Sequence, residues 1–494
     1  MNNSRYKILL RNSTFNTLSY VAITGISLLT IPFFISKLGI EVYGIFILIT
    51  SITGYFNLLD LGLTEGVIKF VSEFAAKKQL RYVYIIVNSS LIFQCFLGII
   101  LSVVVIVFSP NILSFLKVNI EKVPDVNTGL RISCIGFITS LLIGIFISTI
   151  NGLQRFDITS KVNLLSNIVL NVSIIFLLLT GAKLFSLLIL NILVNFLSLL
   201  LYFYFTRSLL PSWNFKFNLN FKLLKKVFFY SSVIFTSKIT NFFSNYIVKF
   251  IISYFLGVKA VGIYTIAYKL IAALGGLLSS MFNILFPYTS ELNAQRDIKS
   301  INDLFRRSSQ LASCISFSMF FILFCFSKSL LTLWLGSSSA EEIYYILKLL
   351  CVSTFFASLT SIPMILLMGL GNSRLIAGFS LFTFLLYLVF IPIFTKYYLL
   401  SGTAFAMVLS SILSFVTVSI FTSKVIKYNI LTYYKNVLLV NIPFLILNIG
   451  LIYFLKYFNF NISIILQLII SSFLAIITYA FILKGILIEG YRKL

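Results

Sequence analysis

The residues of this chain best suited to bind a charged molecule are a few polar side chains inside long apolar stretches. Lys238, Asn241, Asn245 and Lys249 follow one another at steps of 3, 4 and 4 residues, which puts them on one face of a helix. Lys269 lies in the next apolar stretch. Because lysine and asparagine side chains donate hydrogen bonds, we predict that these five residues bind an anionic group of a substrate.

The depth of each lysine decides how strongly it indicates binding. Lys238 lies about 10 residues, or roughly 15 Å, inside its helix, and Lys269 is about as deep. At that depth a cationic cavity is favoured, and an internal structural pairing is the alternative. Lys249 lies nearer the outer end of its helix and Lys348 near the start of another, where a lysine stem can reach the interface. For Lys348 we expect only that role.

Composition and hydropathy identify these helices as membrane spans. Hydrophobic residues make up 59% of the 494 residues and charged residues only 10%, and the mean hydropathy is +1.04. A span needs roughly 20 apolar residues, and on that measure the chain holds about fourteen. The predicted spans are residues 15–36, 43–64, 83–108, 130–150, 162–180, 184–205, 228–254, 260–285, 309–333, 343–368, 376–394, 401–423, 437–455 and 462–483. The fold class is therefore predicted to be an all-α, polytopic membrane protein.

The positive charges predict the orientation of the spans. With the N-terminus in the cytoplasm, 25 of the 38 Lys and Arg residues fall in or beside cytoplasmic segments, nine fall outside and four lie within spans. This is the bias of the positive-inside rule, so both termini are predicted to be cytoplasmic. The net charge of +25 is then a topology signal with some attraction to anionic lipid, and no nucleic-acid partner is expected.

A repeated motif predicts how the spans are organised. LGIEVYGIF begins at Leu38 and LGVKAVGIY begins at Leu256, 218 residues later. Each copy lies between two apolar spans, which indicates two similar helical bundles. Transporters are often built from such repeats, with the substrate path between them.

The domain boundaries follow from the repeat. Residues 1–206 are predicted to form a first lobe of six helices, and residues 227–424 a second lobe of six. Residues 207–226 mix lysines with aromatic residues, as expected of a linker at the cytoplasmic membrane surface. Residues 425–494 are predicted to supply two accessory helices and a cytoplasmic tail.

The residue inventory excludes several kinds of chemistry. The chain has no histidine and no GxxxxGK[ST] motif, so a histidine-based triad and a P-loop are both excluded. Its five cysteines lie in apolar stretches without paired spacing, and no cofactor or metal is predicted. Asp60, Glu65 and Arg155 lie near predicted cytoplasmic helix ends. We expect the acids to pair, for example with Lys69, or to cap helices at a gate; Arg155 either contacts an incoming phosphate or only sets the topology.

Several segments together resemble the polysaccharide flippases of the multidrug/oligosaccharidyl-lipid/polysaccharide exporter superfamily. These are the two repeated motifs and the strings YFNLLDLGLTEGVIKFVSEF, NGLQRFDI, FPYTSELNAQRD and LLTLWLG. The resemblance covers about residues 10–370, and the order of the motifs is more specific than any one of them. It implies two six-helix lobes in an inverted V, which move undecaprenyl-pyrophosphate-linked oligosaccharide (O-antigen or capsular repeat units) across a bacterial inner membrane.

The resemblance leaves the substrate and the partners open. Many flippases of this kind have twelve helices, and the extra pair predicted here is similar to that of the lipid II flippases, where it accommodates the lipid tail. Polysaccharide polymerase machinery is an expected partner. A cation-coupled drug exporter of the same superfamily is the alternative, although such exporters use buried carboxylates that the spans almost lack. A membrane glycosyl-polymerase is disfavoured because the external loops are short.

Overall fold

The computed structural model describes residues 3–56, 62–118, 125–215, 247–282 and 285–457, together with 220–221, 223–225, 227–228, 466–467, 470–474 and 478. Residues 3–18, 53–56, 287 and 451–457 are described by their backbone alone. All elements of this part of the chain are helical, which confirms the predicted fold class. The chain forms two compact units, residues 1–265 and 266–494. The lobe boundaries predicted at residues 206, 227 and 424 stay predictions.

The first unit begins with the longest helix of the chain. Its helices are α1 (Asn3–Phe56), α2 (Leu63–Ala76), α3 (Leu80–Phe115), α4 (Val126–Gly152), α5 (Phe156–Leu179), α6 (Leu184–Leu209) and α7 (Ile247–Leu256). The next helix, α8 (Val258–Phe282), begins in the first unit and continues into the second. Inside α1 the helical geometry breaks at Gly39, whose φ of +80° is open to glycine because it lacks a Cβ.

The second unit continues from α8 with helices of very different length. They are α9 (Leu285–Ala294), α10 (Ile298–Cys325), α11 (Ser327–Leu335), α12 (Ser337–Gly369), α13 (Ser373–Val425), α14 (Ile430–Leu438) and α15 (Ile442–Tyr457), with a 3₁₀ turn (Leu439–Asn441) before α15. Inside α13 the helix breaks at Tyr398 and Leu399.

Ten of the described helical segments are long and apolar enough to cross a membrane. Nine are single helices, and the tenth, Ile430–Gly450, consists of α14, the 3₁₀ turn and the first part of α15. α13 contains two of the predicted spans, and α1 contains one and most of a second; in each helix the two spans lie on either side of the break. α7 is apolar but shorter. The chain is therefore embedded in a membrane, while the count of fourteen spans stays a prediction.

Backbone conformations repeat at the spacing of the sequence motif. Residues with positive φ recur 218 positions apart in three pairs: Gly39 and Gly257, Lys78 and Arg296, and Gly181 and Leu399. α2 ends at Ala76 and α9 at Ala294, again 218 positions later. The two copies therefore share helix ends and turns far beyond the short motif in which the repeat was first seen.

Each unit also packs one glycine in the same way. A Cβ added at Gly152, the last residue of α4, would lie 2.8 Å from the Val71 side chain of α2. A Cβ added at Gly369, the last residue of α12, would lie 2.5 Å from the Thr289 side chain of α9. Both distances are too short for a real side chain, so glycine lets each long helix touch its short neighbour.

The short helices α2 and α9 were not predicted. They fall in segments that the hydropathy pattern assigns to cytoplasmic connections, because neither is long enough to span a membrane. α2 nevertheless buries Leu63, Val67, Phe70, Val71 and Phe74, a spacing that forms one apolar face of a helix. Helical periodicity rather than hydropathy was the signal that could have found it.

The predicted linker packs partly on the first unit. Trp213 is buried, and its Nε1 donates a hydrogen bond of 2.9 Å to Asn88 Oδ1. Its ring meets the rings of Phe146 and Phe203 edge-on. Phe215 and Phe221 are exposed, as a surface segment would have them. Trp213 thus anchors the segment to the helices of the first unit, while the position of the segment at the membrane surface stays a prediction.

The segment beyond α13 is attached to α10. The ring of Tyr433 in α14 stacks on Phe305 at 4.7 Å, with 5° between the ring planes. Asn441 Nδ2 donates a hydrogen bond of 2.8 Å to Ser313 Oγ, and both residues are buried. These contacts tie α14 and the 3₁₀ turn into the second unit.

Candidate substrate path

Lys249 lies in the first unit, on α7, the helix that ends at the turn formed by Gly257. Gly257 has a φ of +82°, which ends α7 and lets α8 begin at Val258. Lys249 lies on α7 in a half-buried position, and its Nζ is 3.4 Å from the hydroxyl of Ser51 on the second segment of α1. Ser51 is only 3% exposed. A predicted binding lysine therefore meets a buried polar side chain of the other repeat copy.

The two motif copies pack directly against each other near this contact. A Cβ added at Gly44 would overlap the carbonyl oxygen of Val258 and lie 3.1 Å from the Gly262 nitrogen. A Cβ added at Gly262 would lie 2.5 Å from the carbonyl oxygen of Ile40 and 3.4 Å from the Gly44 nitrogen. We call this backbone contact between the two copies the glycine crossing.

Lys269 lies on the part of α8 that belongs to the second unit. Its side chain is half-buried and has interactions within the protein. The predicted role of Lys269 in binding stays a prediction.

Four of the predicted site residues lie outside the described residues. These are Lys238, Asn241, Asn245 and Asp60. The stripe predicted on the seventh span is therefore represented by Lys249 alone, and the rest of it stays a prediction.

Glu65 and Arg155, which are predicted to lie near cytoplasmic helix ends, each lie next to groups that stabilise their charge. Glu65 lies in the first turn of α2, where a carboxylate is favourable next to the helix N-terminus. Arg155 lies between α4 and α5, and its Nε and Nη2 donate hydrogen bonds of 2.9 and 3.0 Å to the two carboxylate oxygens of Asp157. The hydrogen bonds to Asp157 raise the pKa of the Arg155 guanidinium above its ordinary value. Both donors that face Asp157 are thus occupied.

Lys348 is surrounded by aromatic rings. Its Nζ lies 5.4 Å from the ring centre of Phe324 and 5.6 Å from that of Tyr344. Lys328 forms an ion pair with Glu341, and its Nζ lies 5.6 Å from the centre of the same Tyr344 ring. Cation–π contacts of this kind can stabilise a positive charge where no carboxylate is present. The two rings therefore provide a structural role for the Lys348 amine.

A small polar cavity in the first unit was missed by the sequence analysis. It has a volume of about 20 Å³, enough for one water molecule. The polar side chains that line it come from α1, α4 and α6: Thr50, Ser133, Ser140, Asn191 and Asn195. Neutral serine, threonine and asparagine are common in membrane helices, so their types alone gave no signal. Within the described ranges, no group of three or more His, Cys, Asp or Glu could hold a metal ion.

Comparison with known proteins relates this arrangement to transporters. The chain is 24% identical over 399 residues to a Shigella flexneri protein provisionally named an O-antigen transporter, covering 80% of this chain and 93% of that one. In structure it is similar to the lipid II flippase MurJ in an inward closed conformation, with a TM-score of 0.75, 16% identity and coverage of 98% and 99% of the two chains. It is also similar to an inward-facing multidrug resistance MATE family transporter of the MOP superfamily, with a TM-score of 0.66, 13% identity and coverage of 84% and 94%.

A family model identifies the chain more directly. The model described as "Polysaccharide biosynthesis protein" matches residues 38–343, more than half of the chain, and the match begins at the first copy of the repeated motif. The relatives named above are a transporter, a flippase and a multidrug transporter, and none of them is an enzyme. The chain belongs to the polysaccharide biosynthesis protein family, and it has the fold of MurJ and the MATE transporters.

Proposed function

We propose that this protein is a flippase for undecaprenyl-pyrophosphate-linked oligosaccharide, the O-antigen or capsular repeat unit. It would move this lipid from the cytoplasmic to the outer leaflet of a bacterial inner membrane by alternating access. The Shigella relative is named for O-antigen transport and MurJ for lipid II flipping, and both names support a lipid-linked saccharide as the substrate here.

The observation that carries the proposal is the difference in charge between the two repeat copies. Lys238, Lys249 and Lys269 lie in apolar stretches of the second copy, and the residues 218 positions earlier are Tyr20, Ile31 and Ser51. A pyrophosphate head group needs a hydrated, cationic surrounding because bare charge is expelled from hydrocarbon. Lysines on helices that face the other copy, as Lys249 faces Ser51, would supply that surrounding.

The competing transport function is cation-coupled drug export, because the MATE transporter shares the fold. That function relies on carboxylates buried in the lobes. Among the described residues, the buried polar side chains include serine, threonine, asparagine and glutamine, and none is aspartate or glutamate. The neutral pair in the first unit, in which Thr30 Oγ1 donates a 2.9 Å hydrogen bond to Asn171 Oδ1, does not offer a protonatable group. The flippase is therefore the better-supported proposal.

The proposed function is tested by deleting the gene in a strain that makes the surface polysaccharide. Lipid-linked repeat units should accumulate on the cytoplasmic leaflet while their synthesis continues, and export should return when the gene is restored. Extension or transfer of glycans by the purified protein would instead support a glycosyl-polymerase. Accumulation of a cationic dye in the deletion strain, with normal polysaccharide export, would support the drug exporter.

The orientation in the membrane is a separate part of the proposal. Both termini are expected to be cytoplasmic because of the 25-to-9 distribution of positive charges. A reporter that is active only in the cytoplasm should work when it is fused after Leu494. Activity of a periplasmic reporter at the same position would contradict the proposed orientation.

A further inference from the structure

The contacts of the glycine crossing are symmetric between the two motif copies. Gly44 meets the Val258 carbonyl, and Gly262 meets the Ile40 carbonyl. Adding 218 converts Ile40 into Val258 and Gly44 into Gly262, so each contact is the counterpart of the other. The motif copies thus meet as the two halves of a twofold contact, in which the same surface is used on both sides.

Only glycine allows this contact at either position. Backbone approaches backbone, and a Cβ at Gly44 would overlap the Val258 carbonyl oxygen. Gly25 and Gly378 have nothing within 4 Å of an added Cβ, so close approach is not a general property of the glycines in this chain.

The polar contact of Lys249 lies about two helical turns from the crossing. Ser51 follows Gly44 by seven residues, two helical turns or about 10 Å along the same face. Lys249 precedes Gly257 by eight residues. The second segment of α1 therefore runs antiparallel to the chain from Lys249 to Gly262, with the glycines in contact at one end and the Ser51–Lys249 pair at the other.

We propose that the glycine crossing closes the substrate path on its external side, and that its separation exposes Ser51 and Lys249 as polar contacts of the departing head group within the spans. The inference rests on the proposed function and deepens it by naming the exit. By the distribution of positive charges, Lys37, directly before the first motif copy, and Lys259, inside the second, are expected to be external. This orientation places the crossing at the outer end of the spans.

The size of the substrate requires the crossing to open. In transporters built from repeats the substrate passes between the repeats, and here the backbones of the two copies touch at symmetric positions. A phosphate-linked saccharide cannot pass a backbone-to-backbone contact, so the contact must break in each transport cycle. The glycines themselves contribute no side chains that interlock, and a small displacement is enough to separate their backbones.

The test is the accessibility of Ser51 from outside the cell. The five native cysteines are replaced by serine, Ser51→Cys is introduced, and whole cells are treated with a membrane-impermeant maleimide. Ser51 is 3% exposed, so labelling should be slow. Gly44→Ala and Gly262→Ala should each raise the labelling rate about fivefold or more, since the added Cβ disfavours the closed contact. The matched controls Gly25→Ala and Gly378→Ala should leave the rate unchanged.

Ile40→Ala provides a variant without a steric clash. It removes the Ile40 methyl carbon, 2.8 Å from where a Cβ of Gly262 would lie, and should also increase labelling. Unchanged labelling in all three variants, at normal amounts of protein in the membrane, would overturn the proposal. So would labelling that increases only in inside-out vesicles, because the crossing would then face the cytoplasm. If the deletion strain does not accumulate lipid-linked saccharide, the proposed function fails, while the labelling still reports whether the crossing is an external closure.

Discussion

The two copies of the repeat share their backbone and differ in their charges. Turns with positive φ, the ends of the short helices and the packed glycines recur at a spacing of 217 or 218 residues. The lysines in apolar stretches belong to the second copy. The repeat therefore maintains the helical framework in both copies, while the lysines proposed to bind the substrate lie in the second copy only.

A few local differences between the copies have visible structural consequences. Where the first copy has Gly181 with a φ of +82°, the second has Leu399 with a φ of +54°, a conformation that is costly for a residue with a Cβ. Where the first copy has Gln79 before α3, the second has Asp297 before α10, and only Asp297 caps its helix with a side-chain hydrogen bond.

The largest expected effect comes from removing the charges that distinguish the second copy. Lys238→Ala combined with Lys269→Ala should abolish most export, because the phosphate charge would no longer be compensated. Lys→Arg at either position should retain part of the activity, and Lys→Glu should be worse than Lys→Ala. The measurement is surface polysaccharide in a deletion strain, normalised to the amount of protein in the membrane.

Lys348→Ala is the matched control for these lysines. Lys348 lies over the Phe324 and Tyr344 rings, and its replacement should be nearly silent for export. Near-normal export from the double variant would mean that the charge difference between the copies is structural and not part of a binding cavity.

A smaller effect should follow from disturbing what the copies have in common. Gly152→Ala and Gly369→Ala each add a Cβ that meets a short neighbouring helix, and overpacking of this kind costs about 1–3 kcal/mol. Gly369→Ala should destabilise more, because its Cβ would approach Thr289 to 2.5 Å, against 2.8 Å for Gly152 and Val71. Thermal unfolding of the purified protein in detergent measures both, with Gly378→Ala as the control. If one variant lowered the melting temperature and the other raised it, the packing of the two glycines would not be equivalent.

The segment after α13, predicted to form accessory helices outside the repeat, provides a further prediction. Asn441→Leu removes the hydrogen bond to Ser313 and should destabilise the protein by about 1–2 kcal/mol, as expected for loss of a buried hydrogen bond. Thermal unfolding should show the loss, whereas Asn436→Leu, which removes only a 3.5 Å contact with the Tyr428 hydroxyl, should be nearly neutral. Equal melting temperatures for the two variants would show that the Asn441–Ser313 bond does not hold the 3₁₀ turn after α14 to α10.

The smallest effect concerns the two helix starts that differ between the copies. Hydrogen bonds from the side chain and backbone of Ser300 hold the pKa of the Asp297 carboxyl below its ordinary value of 3.8. Since the folded pKa is lowered, the stabilisation is present above the unfolded pKa and is lost as the pH falls through the folded one. Asp297→Asn should therefore lower the melting temperature slightly at pH 7, and the difference should shrink below about pH 4.

Gln79→Asp tests the same difference from the side of the first copy. It introduces a capping carboxylate before α3, where no side chain now caps the helix, and should raise the melting temperature by roughly 1–3 °C at pH 7. A decrease would show that the two helix starts have different backbone geometry despite their equivalent positions.

The membrane class, most span positions and the repeat could be predicted from the amino-acid sequence. Long apolar stretches have one stable outcome in a bilayer, because every backbone polar group must be paired within the segment. The spacing of 218 residues between LGIEVYGIF and LGVKAVGIY also predicted where the second copy begins, and the recurring turns follow it. The lysines of the second copy could be found because a charge in an apolar stretch is rare.

Which residues of distant helices meet could not be predicted and is set by how the helices pack. Nothing in the sequence indicates that Gly44 packs against Gly262, or that Ser51 lies 3.4 Å from the Lys249 amine, because hydropathy does not distinguish a helix face that touches protein from one that touches lipid. The burial of Trp213 and the attachment of Asn441 to Ser313 escaped prediction for the same reason. Each depends on contacts between distant segments, and such contacts are set by shape and hydrogen bonding, which appear only when the helices are packed.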